Sequence, residues 1–251
     1  MQKSGKIRLD QLVLQQGLAD SRERAKALIM AGKILVDQQP AIKPGMSVAT
    51  DATITCKGDD HPYVSRGGIK LQAALQAFAV TVSGAICLDV GASTGGFSDC
   101  LLQNGAQRVY ALDVGYGQLA WKLRQDPRVV VMERTNARHL KPADVTEPIA
   151  IATVDVSFIS LELIIPAILP LLMPAGIIIP LIKPQFEVGR GEVGKGGVVR
   201  DRRLQAKVIE RLQQRFDALG FTWQGCIPSP ILGPKGNQEY LACLRLEANR
   251  T

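Results

Sequence analysis

A chain of 251 residues has room for one large domain, or for a small domain followed by a medium one. Apolar residues at 46% and charged residues at 21% exclude a mainly disordered chain. Thirty lysines and arginines against 23 acids leave a net charge of +7, a modest pointer to a polyanionic partner.

The five cysteines, Cys56, Cys87, Cys100, Cys226 and Cys243, are odd in number and form no CxxC. With only His61 and His139 as imidazoles, neither a disulfide framework nor a metal site is expected, and a reducing cytoplasm suits the chain. The opening MQKSGKIRLD has no apolar core of the kind a secretion signal needs.

The chain begins with a locally basic block. RLDQLVLQQG predicts a helix with Leu9, Leu12 and Val13 on one face, stopped by Gly17. Asp20 and Glu23 form the pattern of a capping box for a second helix, SRERAKALIMAG, stopped by Gly32. β-branched alternation over residues 33–57, broken at Asp37–Gln39 and Pro44–Gly45, predicts a small β-hairpin unit. Arg22, Lys26 and Lys33 recur at spacings of four and seven, which places them near one helix face. That face is either plainly solvated or tracks nucleic-acid phosphates. The pattern Arg8-Leu9-Asp10, Gly17, Ser21-Arg22, Ala25, Gly32, Val36 and Pro44-Gly45 resembles the RNA-binding module of the S4-like superfamily. The resemblance implies a small α+β domain over residues 1–60 that docks on structured RNA, with Arg8, Arg22, Lys26, Lys33 and the later Arg66 among its RNA-binding residues.

His61-Pro62-Tyr63-Val64 reads as the start of a linker, taken as residues 61–66, with a flexible Ser65–Gly68 and a helix from Ile69. A second domain over residues 67–251 then opens in Rossmann-like order. AICLDV is a buried strand, GASTGG a glycine-rich loop, FSDCLLQNG a helix and RVYALDV the next strand. Asp113 ends that second strand, where an acidic residue binds ribose hydroxyls. The loop is not GxGxxG, because Ser93 stands where the second glycine belongs, and this weakens a dinucleotide. Asp89 at the first strand's end suits a cationic ligand better than a pyrophosphate. S-adenosylmethionine, with an amine and a sulfonium but no phosphate, fits both features. One rival stays open. GASTG also reads as the G-x-S-x-G elbow of a serine hydrolase, with Ser93, Asp113 and His139 in the order Ser–Asp–His.

Residues 148–172 predict a strand, a polar tip and a helix, with Asp155 at the strand's C-terminal end. The uncharged Leu163–Ile182 stretch is long enough to cross a bilayer. Its prolines, Pro166, Pro170, Pro174 and Pro180, argue instead for a buried helix ending near Pro174, a turn at Ala175–Gly176 and a buried strand. That strand ends at Lys183, so two opposite charges fall at neighbouring strand ends, where open α/β sheets gather their chemistry. A glycine-rich loop, an amphipathic helix over residues 201–220 and an antiparallel strand pair, the last opened by Glu239, complete the chain.

SRGGIKL, LDVGASTGGFSDCLL, ALDVGYGQLAWKLR, ERTNAR, VDVSFISL, IKPQFE and GNQEYL, behind the S4-like block, resemble the TlyA (hemolysin A) family of ribosomal RNA methyltransferases. That family is similar to the FtsJ-like ribose 2′-O-methyltransferases, which use a Lys–Asp–Lys–Glu tetrad. The resemblance places the tetrad on Lys70, Asp155, Lys183 and Glu239. It places S-adenosylmethionine on Asp89, Gly91, Ser93, Thr94, Gly95, Gly96, Phe97, Asp113 and Asn136. It implies 2′-O-methylation of a cytidine ribose in ribosomal RNA, with ribosomal RNA or subunits as partner and no metal. A chain starting six residues before its first helix and stopping at EANRT looks like the family's shorter form, which implies 23S rather than 16S rRNA.

In such chemistry Lys183 either helps deprotonate the acceptor hydroxyl or steadies the forming alkoxide. Asp155 would orient Lys183 and the hydroxyl, and Glu239 would position Lys70 or the ribose. The hemolysin name raises a membrane-active protein as an alternative, but the one candidate segment is broken by prolines. A non-catalytic RNA-binding protein would have no need of all four charged positions.

Overall fold

The computed structural model describes residues 5–16, 18–19, 21–56, 61–189, 191–194 and 196–248. The chain forms two compact units, Met1–Pro62 and Tyr63–Thr251.

The first unit contains β1 (Lys6–Arg8), α1 (Leu9–Gln15), α2 (Arg22–Met30), β2 (Ile34–Val36), β3 (Gln39–Pro40), β4 (Ser47–Ala49) and β5 (Ile54–Cys56). Strand β1 pairs antiparallel with β4, and β2 lies between β3 and β5. Leu9, Leu12 and Val13 of α1 meet Ala25, Leu28 and Ile29 of α2 in one core with Ile34, Val48 and Ile54. Gly17 and Asp20 lie outside the described residues. The cap of α2 is Ser21, whose Oγ accepts from the Arg24 backbone N–H at 3.1 Å.

Asp10 is not the surface charge its neighbours suggest; it is fully buried. Arg8 donates to both its oxygens at 3.0 Å, and Arg22 Nε donates to Oδ2 at 3.1 Å. Both arginines therefore offer less net charge to phosphate than expected, although their side chains stay 48% and 42% exposed. Lys33 lies beyond the end of α2, so helical spacing does not join it to Lys26.

The Arg8 hydrogen bonds come first among the causes that hold the Asp10 carboxyl down at about 2, below its ordinary value near 3.8. A depressed carboxyl stabilises the fold above its unfolded pKa, and the contribution disappears as pH falls through the folded one. Asp10→Asn is therefore expected to flatten the stability of the protein between about pH 4 and pH 2, measured by acid unfolding and circular dichroism. A variant that unfolds along the wild-type acid curve would contradict this.

The second unit contains α3 (Gly67–Ala77), β6 (Ile86–Val90), α4 (Gly96–Gln103), β7 (Arg108–Leu112), α5 (Trp121–Arg124) and β8 (Val129–Met132). It continues with β9 (Ile149–Val154), α6 (Leu161–Ile168), β10 (Leu172–Ile182), α7 (Pro184–Glu187), α8 (Arg202–Asp217), β11 (Phe221–Pro228) and β12 (Tyr240–Leu246). One seven-stranded sheet runs β11-β12-β10-β9-β6-β7-β8, with β12 alone antiparallel to its neighbours. Both faces are covered, which explains the unbroken apolar strands. On one face Cys87, Val109, Ile151 and Ile179 pack against α3 and α4. On the other, Leu88, Tyr110, Ala152 and Ile178 pack against α6 and α8. Ile165 of α6 is fully buried there. Truncating such a side chain to alanine costs about 2–5 kcal/mol.

Three expectations need correction. Residues 63–66 are built into the second unit: Tyr63 Oη donates to Gln72 at 3.0 Å, and the Val64 N–H donates to Asp99 at 2.7 Å. Helix α3 starts at Gly67, not Ile69, and Gly68 lies in its first turn, where the Tyr63 ring leaves no room for a Cβ. Helix α6 ends at Ile168, six residues before Pro174: Pro170 has no N–H with which to extend the ladder, and the chain passes through a 3-10 turn, Leu169–Leu171, into β10. The apolar stretch is thus divided between α6 and β10, and no described helix is long and apolar enough to cross a membrane.

Candidate active site

The C-terminal ends of β6, β7, β9 and β10 bring the predicted residues to one edge of the sheet. The loop after β6 turns sharply. Gly91 sits at φ +86°, and a Cβ there would collide with the Asp155 carbonyl. The loop therefore lies directly against the end of β9, and Asp155 stands beside it. Gly95 at φ +98° starts α4, and a Cβ there would strike Leu119 and Leu123.

Two cavities open here and share Gly91, Ser93 and Asp155. The first, about 610 Å³, is also lined by Arg66, Lys70, Thr94, Gly96 and Phe97. The second, about 520 Å³, combines Asp113 and Asn136 with the apolar Val90, Leu112, Val114 and Ile164. A slot with apolar walls and a carboxylate at one end suits a flat ring carrying a diol. Asp113 accepts the Ser93 N–H at 2.8 Å and the Gly115 N–H at 2.7 Å, which ties the two loops together.

Asp89 and Gly95 line neither cavity. Asp89 is fully buried and accepts from Ser98 Oγ at 2.6 Å and Thr153 Oγ1 at 2.9 Å. Burial pushes its pKa up to about 6 against the pull of those hydroxyls. It braces the start of α4 against β9 from below, so the expectation of a direct ligand contact does not hold for it.

The four tetrad residues form two ion pairs. Lys183 Nζ lies 2.6 Å from Asp155 Oδ1 and donates to Ser157 Oγ at 3.0 Å. Lys70 Nζ donates to Glu239 Oε2 at 2.6 Å. Lys183 and Lys70 are each 9% exposed and Glu239 is fully buried, so these charges are held largely away from water. A Cβ on Gly233 would collide with the Glu239 carboxylate, so the loop before β12 closes tightly over it. An ammonium has three donors. Ser157 takes one of them and Asp155 faces Lys183 as an ion pair, so a donor is left for an acceptor.

Sequence reasoning missed three neighbours. Ser157 lies two residues after Asp155, a spacing that puts both on one side of an extended segment. Phe158 is 90% exposed at φ +65°, lines the second cavity, and its ring centroid is 4.9 Å from that of Phe186. An exposed aromatic in VDVSF was the available signal. Glu187 is buried and accepts from Ser160 Oγ at 2.7 Å and the Leu161 N–H at 2.9 Å, which fixes the start of α6 to α7.

The hydrolase arrangement is not assembled. Ser93 Oγ donates to Gln118 at 3.3 Å, Asp113 holds backbone amides, and His139 is exposed on a short 3-10 turn. Among the described residues no cluster of three His, Cys, Asp or Glu side chains has the geometry to hold a metal ion.

Asp113→Ala is expected to weaken ligand binding in the second cavity at least tenfold, because it removes the polar end of the slot and frees both loops. Isothermal titration checks this, and unchanged affinity would remove Asp113 from the binding site.

Comparison with known proteins agrees with this geometry. A family model described as FtsJ-like methyltransferase matches residues 63–246, and one described as S4 domain matches residues 7–54. A Mycobacterium tuberculosis protein named 16S/23S rRNA (cytidine-2′-O)-methyltransferase TlyA is 48% identical, over 98% of this chain and 92% of its own. A Brachyspira hyodysenteriae protein named Hemolysin A is 42% identical, over 94% of this chain and 98% of its own. The solved structure of a Streptococcus thermophilus protein titled a hemolysin superposes with a TM-score of 0.76 at 44% identity, covering 98% of this chain and 90% of that one. A paired-lysine cleft at the strand ends, a family match across nearly all of the second unit and relatives alike over almost the whole chain converge, and the chain belongs to the FtsJ-like methyltransferase family, carrying an S4 domain ahead of it.

Proposed function

We propose that this protein transfers the methyl group of S-adenosylmethionine to the 2′-hydroxyl of a cytidine in ribosomal RNA. The observation that carries the reading is the pair of buried lysine–carboxylate contacts, Lys183–Asp155 and Lys70–Glu239, beside a slot ending in Asp113. The cytidine and the ribosomal RNA come from the name of the 48% identical relative.

Asp113 and Asn136 would hold the adenosine part of the cofactor, with Gly91 and Ser93 passing close to it. The bound cofactor supplies an electrophilic methyl carbon with its own leaving group. The protein must then orient the acceptor oxygen and accommodate its proton. Lys183 directs its remaining N–H to that oxygen and steadies the negative charge growing on it. Asp155, which lines both cavities, keeps Lys183 aligned and takes the hydroxyl proton on its second oxygen. Between the two roles sequence left open for Lys183, this geometry favours the stabilising cation, because Asp155 stands beside it with a second carboxylate oxygen to take the proton. Lys70 and Glu239 fix the far wall and place a second positive charge near the ribose. Phe158 offers a face on which the base could stack.

The relative matched over 98% of this chain carries a name covering both 16S and 23S rRNA, so chain length gives no basis for a 23S-only range. The test is to incubate the protein with labelled S-adenosylmethionine and separate ribosomal subunits, digest the RNA and identify the labelled nucleoside. 2′-O-methylcytidine in 23S rRNA is expected. A label on a base carbon or nitrogen would overturn the reading.

A further inference from the structure

A third cavity, about 590 Å³, opens in the second unit beside the cleft and takes no part in the chemistry above. Its walls carry Arg200, Arg202 and Lys235, and its floor carries Gln205, Gln238 and Tyr240. None of the three cations forms an ion pair with a described carboxylate. The nearest acid in sequence, Asp201, is turned away into the cap of α8, where it accepts the Arg203 N–H at 2.8 Å. The cavity is built, not incidental. Tyr240 Oη donates to Gln205 Oε1 at 2.7 Å, and Gln205 Nε2 donates to the Val199 carbonyl at 2.7 Å. Buried Asn237 ties the two wall-forming loops together, accepting the Val199 N–H at 3.1 Å and donating to the Gly197 carbonyl at 3.0 Å. The polar floor is satisfied internally, and the positive rim is left without a counter-charge.

The position of this rim identifies its ligand. One loop between β11 and β12 walls both spaces: Leu232, Gly233 and Pro234 line the first cavity, and Lys235, Gly236 and Gln238 line the third. The two spaces thus lie on either side of one short loop, so an extended chain whose ribose lies against Lys70 and Asp155 has Lys235 and the third cavity as its neighbour across that loop. Exposed guanidinium groups suit a solvated phosphodiester better than a small enclosed anion, since Arg forms bidentate pairs with phosphate oxygens. We infer that the cavity walled by Arg200, Arg202 and Lys235 is a phosphate subsite that takes the phosphodiester of a nucleotide flanking the ribose to be methylated. This rests on the proposed function, and it assigns part of the RNA grip to the methyltransferase unit itself.

The experiment compares the full-length protein with Arg202→Gln/Lys235→Gln and with the charge-keeping Arg202→Lys, measuring methyl transfer to ribosomal RNA across a potassium chloride series. The double variant is expected to raise KM for RNA by roughly tenfold and to keep kcat and cofactor affinity within about twofold. Its plot of log(kcat/KM) against log salt should be shallower by about 0.7 for each single-strand phosphate that the variant no longer neutralises. Arg202→Lys should keep the wild-type slope. Inorganic phosphate at constant ionic strength should leave wild-type kcat/KM unchanged. Selective inhibition by phosphate, absent in the double variant, would assign the cavity to the free ion and overturn the inference. A wild-type slope and KM in the double variant would overturn it too, as would a fall in kcat alone. A wild-type protein that transfers no methyl group to ribosomal RNA would defeat the proposed function first. Normal wild-type transfer with indifferent variants would defeat only the subsite.

Discussion

Lys183→Ala is expected to slow methyl transfer by about 10³-fold under single-turnover conditions, within the range for losing a group that manages charge and proton at a reacting oxygen. Cofactor affinity and fold should survive. The side chain ends strand β10 at the lip of the cleft, and its removal leaves Asp155 with a side chain 23% exposed, open to water that can replace the lost partner. The alanine variant should therefore titrate cofactor normally and unfold near the wild-type temperature. Ser157→Ala removes only the hydroxyl 3.0 Å from Lys183 and should cost far less, about tenfold. Near-normal turnover in Lys183→Ala would take the lysine out of the mechanism.

Lys70→Met should behave differently, although Lys70 belongs to the same tetrad. Its partner Glu239 is fully buried, with Oε2 on Lys70 and Oε1 lacking any partner among the described residues. Removing the ammonium strands a carboxylate away from water, and breaking such a pair costs about 3–5 kcal/mol. For a unit of this size that corresponds to a melting temperature lowered by roughly 10 °C. The double variant Lys70→Met/Glu239→Gln leaves no buried charge and should recover more than half of the lost stability while remaining slow in transfer. Thermal unfolding of the two variants supplies the check. Equal stability of Lys70→Met and wild type would show that Glu239 finds water or another cation. Lys183 and Lys70 thus divide the work: one pair can lose a member at the cost of rate, the other at the cost of rate and fold together.

The parts of this site that were legible in the sequence are those carried by local order. Strand, glycine loop, helix and strand follow one another over residues 86–112, and unbroken apolar runs mark strands whose two faces are both buried. Asp155 and Lys183 stand at strand ends, which hydrophobic runs mark well. What local order could not carry is pairing across the chain. Lys70 and Glu239 are 169 residues apart, and only the packing of α3 near β12 brings them together. Asp10 reads as one acid in a basic segment, yet two arginines draw it into the core. Asp89 carries the same formal charge as Asp113, but one points into the sheet interior and the other lines the slot. Strand β8 escapes notice because four residues between charged neighbours show too little alternation to signal an edge. The boundary of α6 is hidden for a different reason. Four prolines in one apolar run mark breaks without saying which of them ends the helix.

The proposed chemistry stands most directly on the atom that receives the methyl group. Once the modified cytidine is mapped, an otherwise identical RNA carrying 2′-deoxycytidine at that single position should bind as tightly as the ribose form and accept no label from S-adenosylmethionine. Undiminished label on the deoxy substrate would place the methyl group elsewhere on the nucleotide and contradict the assignment of Lys183 and Asp155 to a ribose hydroxyl.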